Sequence, residues 1–263
     1  MICFRRHTIR NASQHCPLVN KPGPLCRLSL KKFNLEGLIH ILGINEKPLF
    51  FATSSPRRKQ ILDLLDLEFH FIEPVGNERG RTDQESIFDY VEALAFEKAK
   101  SIVGKVPANS YVFGSDTIVL FDGQVLGKPQ NKLDAVRTLR NLASTRHSVI
   151  TSICGYDIAN NIIVKDFVET EVYMRDFDEI EIKTYVESGD AMDKAGSYAI
   201  QNELFRPVEA IKGCYFSVVG LPVCNLLKIL TQLNLKSIID VDKNQLNFEM
   251  CTKCVMLCSA GKS

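Results

Sequence analysis

From residue 49 to residue 233 the chain alternates short continuous apolar runs with stretches whose apolar residues recur every third or fourth position. Leu49 to Ala52 (LFFA) is a run suited to a buried strand. Ser55-Pro56 then reads as a helix start, serine as N-cap and proline at the first helical position, and Ile61, Leu62, Leu64 and Leu65 give that helix an apolar stripe. Ile87 to Ile102 has helical spacing, and Tyr111 to Ser115 is a second buried strand. Asp122-Gly123 predicts a hairpin turn between Thr117–Phe121 and Gln124–Leu126. Lys132 to Ala143 is helical, and His147–Ile158 and Ile162–Met174 are long β runs joined at Asn160-Asn161. Phe177 to Glu187 is expected as a helix, Ser197–Gln201 and Ser217–Val219 as short strands, and Pro222 opens a last helix to about Leu233. Strands and helices alternate but hairpins interrupt them, so the expected class is α/β, a mixed sheet with flanking helices.

The two ends break the pattern and divide the chain into 1–48, 49–234 and 235–263. The first 35 residues hold seven Arg or Lys and no acid, with Pro and Cys scattered without period. This segment is expected to be a disordered basic leader, and its Arg-rich, acid-free character is also that of a mitochondrial targeting segment. The tail ends in CTKCVMLCSAGKS, where Cys251 and Cys254 supply half a zinc site and Cys258 a third thiolate. Without a fourth ligand the tail is expected to be poorly ordered. Its closing Gly-Lys-Ser is no phosphate loop, because the earlier glycine of that motif is Met256 here.

Charge changes the picture only slightly. The net charge is +1, but residues 1–48 carry eight basic and two acidic side chains, +6, which leaves −5 for the body. A body of that sign has no basic face for a long nucleic acid. At 45% hydrophobic and 24% charged the composition is that of an ordinary globular protein, and no run reaches the roughly 18 apolar residues of a membrane-spanning helix. The nine cysteines are dispersed, without a secretory h-region, which suits a reducing compartment.

The candidate chemistry lies at the ends of the expected elements. G-x-G-x-x-G, a complete Walker motif, G-x-S-x-G and H-E-x-x-H are all missing, and the five histidines are scattered, so a His-based triad or a zinc hydrolase is poorly supported. Arg57 and Arg58 fall in a first helical turn, where the dipole and unpaired N–H groups already favour phosphate; arginine adds bidentate donors. Asp116 is expected at the end of an apolar strand, followed by Thr117. Lys128 stands between Gly127 and Pro129, which fix its backbone, whereas Lys98 in AFEKAK and Glu78 in GNERGR read locally as solvated charges. Asp193-Lys194 reads as a surface ion pair, and the small, charged and amide residues from 191 to 201 also suit a polar base edge. Several cations, two acids and no histidine base fit metal-assisted attack of water on a phosphoanhydride better than acyl transfer or redox chemistry.

The segments ATSSPRRKQILDLL, FGSDTIV, VLGKP, LASTRHSVIT, MDKAGSYAIQ and VVGLP, in that order from about Leu49 to Leu233, resemble the successive blocks of the Maf family of nucleoside triphosphate pyrophosphatases. The resemblance implies a fold similar to the inosine triphosphate pyrophosphatases, a mixed twisted sheet in two lobes around a nucleotide cleft. It implies cleavage between the α and β phosphates with a divalent cation, Mg²⁺ or Mn²⁺. It places Asp116 as the catalytic acid, proton acceptor or metal ligand, and Glu78 as a second metal ligand, Asn77 standing where the family usually has another acid. Ser54, Arg57, Lys98 and Lys128 become phosphate ligands, and Arg58, expected in the same first helical turn, joins them by its position. Arg57, Thr117 and Gln201 match positions tied to substrate choice in the branch acting on dTTP and UTP, rather than the branch acting on 7-methyl-GTP.

The expected activity is therefore hydrolysis of dTTP and UTP to the nucleoside monophosphate and pyrophosphate. The rival expectations are a catalytically idle nucleotide-binding regulator of cell division and a pyrophosphatase for modified nucleotides such as 7-methyl-GTP. The partner is a small nucleotide, with no long nucleic acid and no membrane, and a homodimer is compatible with the resemblance. The body reads as cytoplasmic, with mitochondria left open by the leader.

Overall fold

The computed structural model describes residues 47–235, apart from 64, 66, 77 and 78. The basic leader's first 46 residues, the thiols of the tail and the acid Glu78 lie outside the described residues. Seven strands form one mixed sheet in the order β2-β1-β3-β5-β6-β7, with β4 paired to β3. They are β1 (Leu49–Ala52), β2 (Phe69–Ile72), β3 (Tyr111–Phe121), β4 (Gln124–Leu126), β5 (Arg146–Asp157), β6 (Ile162–Met174) and β7 (Val208–Lys212). Six helices accompany them: α1 (Pro56–Asp63), α2 (Ile87–Lys100), α3 (Lys132–Leu142), α4 (Glu179–Glu187), α5 (Tyr215–Val219) and α6 (Val223–Gln232). β1 runs parallel to β2 and β3, and the other pairings are antiparallel. The expected α/β class, a mixed sheet with flanking helices, is the one observed. No helix of the described residues is long and apolar enough to cross a membrane.

One irregularity in the sheet positions everything that follows. β1 pairs with β3 only as far as Gly114, and β4 begins only at Val119. Between them Ser115–Ile118 are paired on one side alone, to β5. Residues that face each other across β3 and β5 share a face, and successive residues alternate faces. On one face Phe113 and Ile153 belong to an apolar cluster with α6, and Val119 and Val149 to a second cluster with α3 and α4. The polar side chains of Ser115, Thr117 and Thr151 separate the two. On the other face Val112 and Cys154 pack under α2, as do Ile118 and Ile150 farther along, with Asp116 and Ser152 between them. A polar belt thus crosses both faces of the sheet at its open stretch.

Packing fixes the walls of that belt. Phe51 and Phe113 stack at 6.3 Å with Phe69 edge-on to both, and full burial of such rings contributes about 2–3 kcal/mol each. Gly114 lets α2 lie directly on β3: a Cβ there would stand 2.4 Å from the Ala95 carbonyl oxygen and 2.6 Å from the Ala99 nitrogen. Lys47, just ahead of β1, pairs with the buried Asp157 at 2.7 Å.

Three expectations are corrected. Ser197–Gln201 is no strand: Ala195–Ser197 form a 3₁₀ turn, with Gly196 at φ 72° and Ser197 at φ 61°, and such backbone cannot extend. Ser217–Val219 belongs to a short helix that ends at Gly220, whose N–H donates to the Phe216 carbonyl at φ 121°; this C-terminal stop outweighs the β preference of two valines. Asp116 does not end a strand but sits within β3, because β5 carries the ladder without a break from Tyr111 to Leu120. The pattern also hid β2 and β7, two edge strands of four and five residues whose exposed sides carry polar groups.

Candidate active site

A cleft of about 410 Å³ opens over the unpaired stretch of β3. Its far wall begins where β1 runs into α1. The Ser55 N–H donates to Thr53 Oγ1 at 3.0 Å, and the Ser55 carbonyl accepts the first helical N–H, from Lys59. Ser55 is thus held as the N-cap that the sequence predicts, and Ser54, Arg57 and Arg58 are turned towards the cleft.

The two arginines do different things. Arg58 donates from Nε to the Gly220 carbonyl at 2.8 Å and from Nη2 to Thr117 Oγ1 at 3.2 Å. It clamps α1 to β3 and to the end of α5. Thr117 Oγ1 also lies 3.0 Å from Thr151 Oγ1, which donates to the Ser217 carbonyl at 2.7 Å. A chain of polar contacts therefore runs from Arg58 through the belt to α5. Arg57 reaches instead to Asp193 Oδ2 across the cleft mouth, at 3.4 Å.

Asp116 forms the floor. The residue is 5% exposed and its carboxylate is ion-paired with Lys98, the two brought together by the close seating of α2 on Gly114. A buried carboxylate is costly unless paired and hydrogen-bonded, so the pair marks a position at which the fold maintains a charge. Lys128 lies exposed on the cleft rim. Its loop is tied to the opposite wall by the Gly196 N–H, which donates to the Gly127 carbonyl at 3.3 Å. Gln201 also lies on the rim, where the cleft adjoins a second cavity of about 390 Å³.

The structure thus gathers Ser54, Arg57, Arg58, Lys98, Asp116, Thr117, Lys128 and Gln201 around one cleft. Glu78 is outside the described residues; Arg79 pairs with Glu85 at 2.5 Å and Glu97 at 3.0 Å. Among the described residues no three His, Cys, Asp or Glu side chains converge as a ready-made metal cage. Two residues of the 191–201 segment, which the sequence offered at most as a polar base edge, line the cleft through contacts it did not foretell. Tyr198 lines the cleft, and its hydroxyl lies 2.7 Å from Nε2 of the buried His147. Burial pulls the His147 pKa down to about 4 and pushes that of Tyr198 up, so both are neutral. The other, Asp193, reads in isolation as half of a surface pair, and only the approach of Arg57 reveals its place. Neither has a local signal, since each depends on elements distant in the chain.

Cations outnumber acids on these walls, and they surround a buried carboxylate. That arrangement can hold a polyphosphate and present a base or an oxygen ligand beneath it.

The family model described as Maf-like protein matches residues 48–233. A dTTP/UTP pyrophosphatase of Alkaliphilus metalliredigens is 41% identical over 186 residues, 69% of this chain and 94% of that protein. Another dTTP/UTP pyrophosphatase, of Hydrogenovibrio crunogenus, is 39% identical over 193 residues, 73% of this chain and 99% of its own length. Among solved structures, that of a HAM1 protein from Coxiella burnetii aligns at 15% identity with a TM-score of 0.40, over 71% of this chain and 100% of that one.

Proposed function

The chain belongs to the Maf family, and from that premise we propose that it is a nucleoside triphosphate pyrophosphatase cleaving dTTP and UTP between the α and β phosphates. The observation that carries the reading is the buried Asp116–Lys98 pair at the open stretch of β3, beneath walls that bear Arg57 and Lys128. Relatives that are 39–41% identical over the aligned 186–193 residues are dTTP/UTP pyrophosphatases, and they support the choice of pyrimidine substrates.

Water attacks the α phosphorus, the bond from that phosphorus to the bridging oxygen breaks, and pyrophosphate leaves with the bond's electron pair. Asp116 accepts the proton of the attacking water. Lys98 keeps the carboxylate charged until then and orients it. Arg57 and Lys128 neutralise the negative charge that builds on the leaving pyrophosphate. Arg58 acts through its clamp on Thr117 and Gly220, which holds the first turn of α1 against the floor. Gln201 and Thr117 offer polar groups to the base.

A divalent cation suits this donor set, because Mg²⁺ is commonly held by one or two carboxylates together with substrate phosphates. Asp116 and Glu78 would hold it. When bound, it supplies charge neutralisation at the phosphates and acidifies a bound water.

The test is turnover by wild type and Asp116→Asn with Mg²⁺ or Mn²⁺ on dTTP, UTP, CTP, 7-methyl-GTP and ITP, resolving pyrophosphate from orthophosphate. The expected result is pyrophosphate from dTTP and UTP, reduced on the order of a thousandfold in the variant, whose circular dichroism stays native. Nucleotide binding without turnover across the panel would favour the idle regulator. Near-wild-type activity in Asp116→Asn would remove Asp116 from its role.

A further inference from the structure

Asp193 and Lys194 find no part in the chemistry above, yet their geometry is unusual for surface charges. Lys194 is 8% exposed, and its ammonium donates to the Asp190 carbonyl at 2.5 Å, to Asp190 Oδ1 at 2.8 Å and to Asp193 Oδ1 at 2.6 Å. An ammonium has three protons, and all three are used. Asp190 is itself held by the Tyr185 hydroxyl at 2.8 Å and the Asn202 amide at 3.0 Å. Asp193 is therefore tethered through one oxygen to a rigid, partly buried network, and its other oxygen projects over the cleft to Arg57.

The two partners differ in freedom. Asp193 is moored by Lys194, whereas the bond from Arg57 is a single long contact of 3.4 Å at the end of a flexible side chain. Burial alone would push the Asp193 carboxyl up, but the bond from Lys194 and the charges of Lys194 and Arg57 bring it below its ordinary value. The carboxylate is a permanent anion placed beside the cation that a phosphate would use.

We infer that Asp193 is a built-in competitor for Arg57: the entering polyphosphate takes Arg57 from Asp193, and Asp193 reclaims it as the products leave. The inference deepens the pyrophosphatase reading and rests on it for the identity of the products. Such a competitor weakens substrate and product alike. Uniform binding adds nothing to the chemical step, so the loss costs little at high substrate while it shortens product residence. The exchange is easy because an exposed ion pair is weak, and a polyphosphate offers more charge than one carboxylate.

Inorganic tripolyphosphate, titrated calorimetrically into the full-length protein, tests the pair without any turnover. Asp193→Asn should bind it about two- to fivefold more tightly than wild type, the range that an exposed pair allows. In an Arg57→Gln background the same substitution should change affinity less than about 1.5-fold, since the competition has lost its object. With dTTP, Asp193→Asn should lower KM and the inhibition constant of pyrophosphate by the same factor, without a gain in kcat. Equal tightening in both backgrounds would reduce Asp193 to a source of general field and overturn the inference. Weaker binding in Asp193→Asn would make it a positioning residue for Arg57 and overturn it as well. Tighter tripolyphosphate binding without dTTP hydrolysis would keep the competitor and sink the pyrophosphatase reading, while unchanged binding with intact hydrolysis would do the reverse.

Discussion

Individual side chains in this protein take their roles from what lies across the sheet. Asp116 and Lys98 are 18 positions apart in the chain, and either alone reads as an ordinary charge. Arg57 and Arg58 are adjacent, but the first reaches over the cleft and the second is a clamp on Thr117 and Gly220. His147 makes the point through protons. Its pKa of about 4 lies below the roughly 6.5 of an unfolded chain, because burial disfavours the imidazolium. Between those values the unfolded state binds more protons, so this group's stabilisation is complete above about pH 6.5 and is lost as pH falls towards 4. Wild type should therefore lose about 2–3 kcal/mol more than His147→Gln between pH 7 and pH 4.5, by urea unfolding. Parallel losses in the two proteins would mean that His147 is not held neutral. These roles were only partly legible in the sequence. Residue type and motif order pointed to the cations and to Asp116, but the division of labour between the arginines follows from contacts with residues up to 162 positions away.

At the scale of elements, the decisive contact is between α2 and β3. Gly114 is present because the helix backbone occupies the space a side chain would need, which also brings Lys98 over Asp116. Gly114→Ala should push α2 off the strand, at a cost of about 1–3 kcal/mol or more. Activity should fall more steeply than stability, because the floor of the site moves with the helix. A differential scan beside a dTTP assay measures both, and unchanged values in each would deny the close packing. Two helices with side-chain N-caps, α2 and α3, and the proline-opened α6 agree with the pattern to within two residues. The elements that escaped are short: β2, β7, α5 and the turn at Ala195–Ser197. In such pieces tertiary contacts and glycine stops outweigh intrinsic preference.

Across the whole molecule, the described fold from Lys47 to Leu235 closes on itself. Lys47 is pinned to Asp157 and lies over the Tyr111 ring at 4.8 Å, while Leu235 is buried against the α6 cluster. A chain shortened to residues 47–235 should therefore fold with wild-type cooperativity and hydrolyse dTTP at a rate within about twofold of the full chain. Loss of folding or activity would assign a structural or functional role to one of the removed ends.

What the sequence by itself determined was class and family. Continuous apolar runs and an apolar period of about 3.6 residues set most strands and helices, because a strand covered on both sides is apolar throughout whereas a helix buries one stripe. The order of the motif blocks set the family and hence the candidate substrate. What only the tertiary structure decided was the gap of Ser115–Ile118 between β1 and β4, and with it the place of the cleft. It alone decided that Arg58 braces while Arg57 reaches, and that Asp193 faces Arg57 rather than solvent alone. A gap in a sheet is a relation among strands, and an ion pair across a cleft is a relation between loops; neither is a property of any run of neighbouring residues.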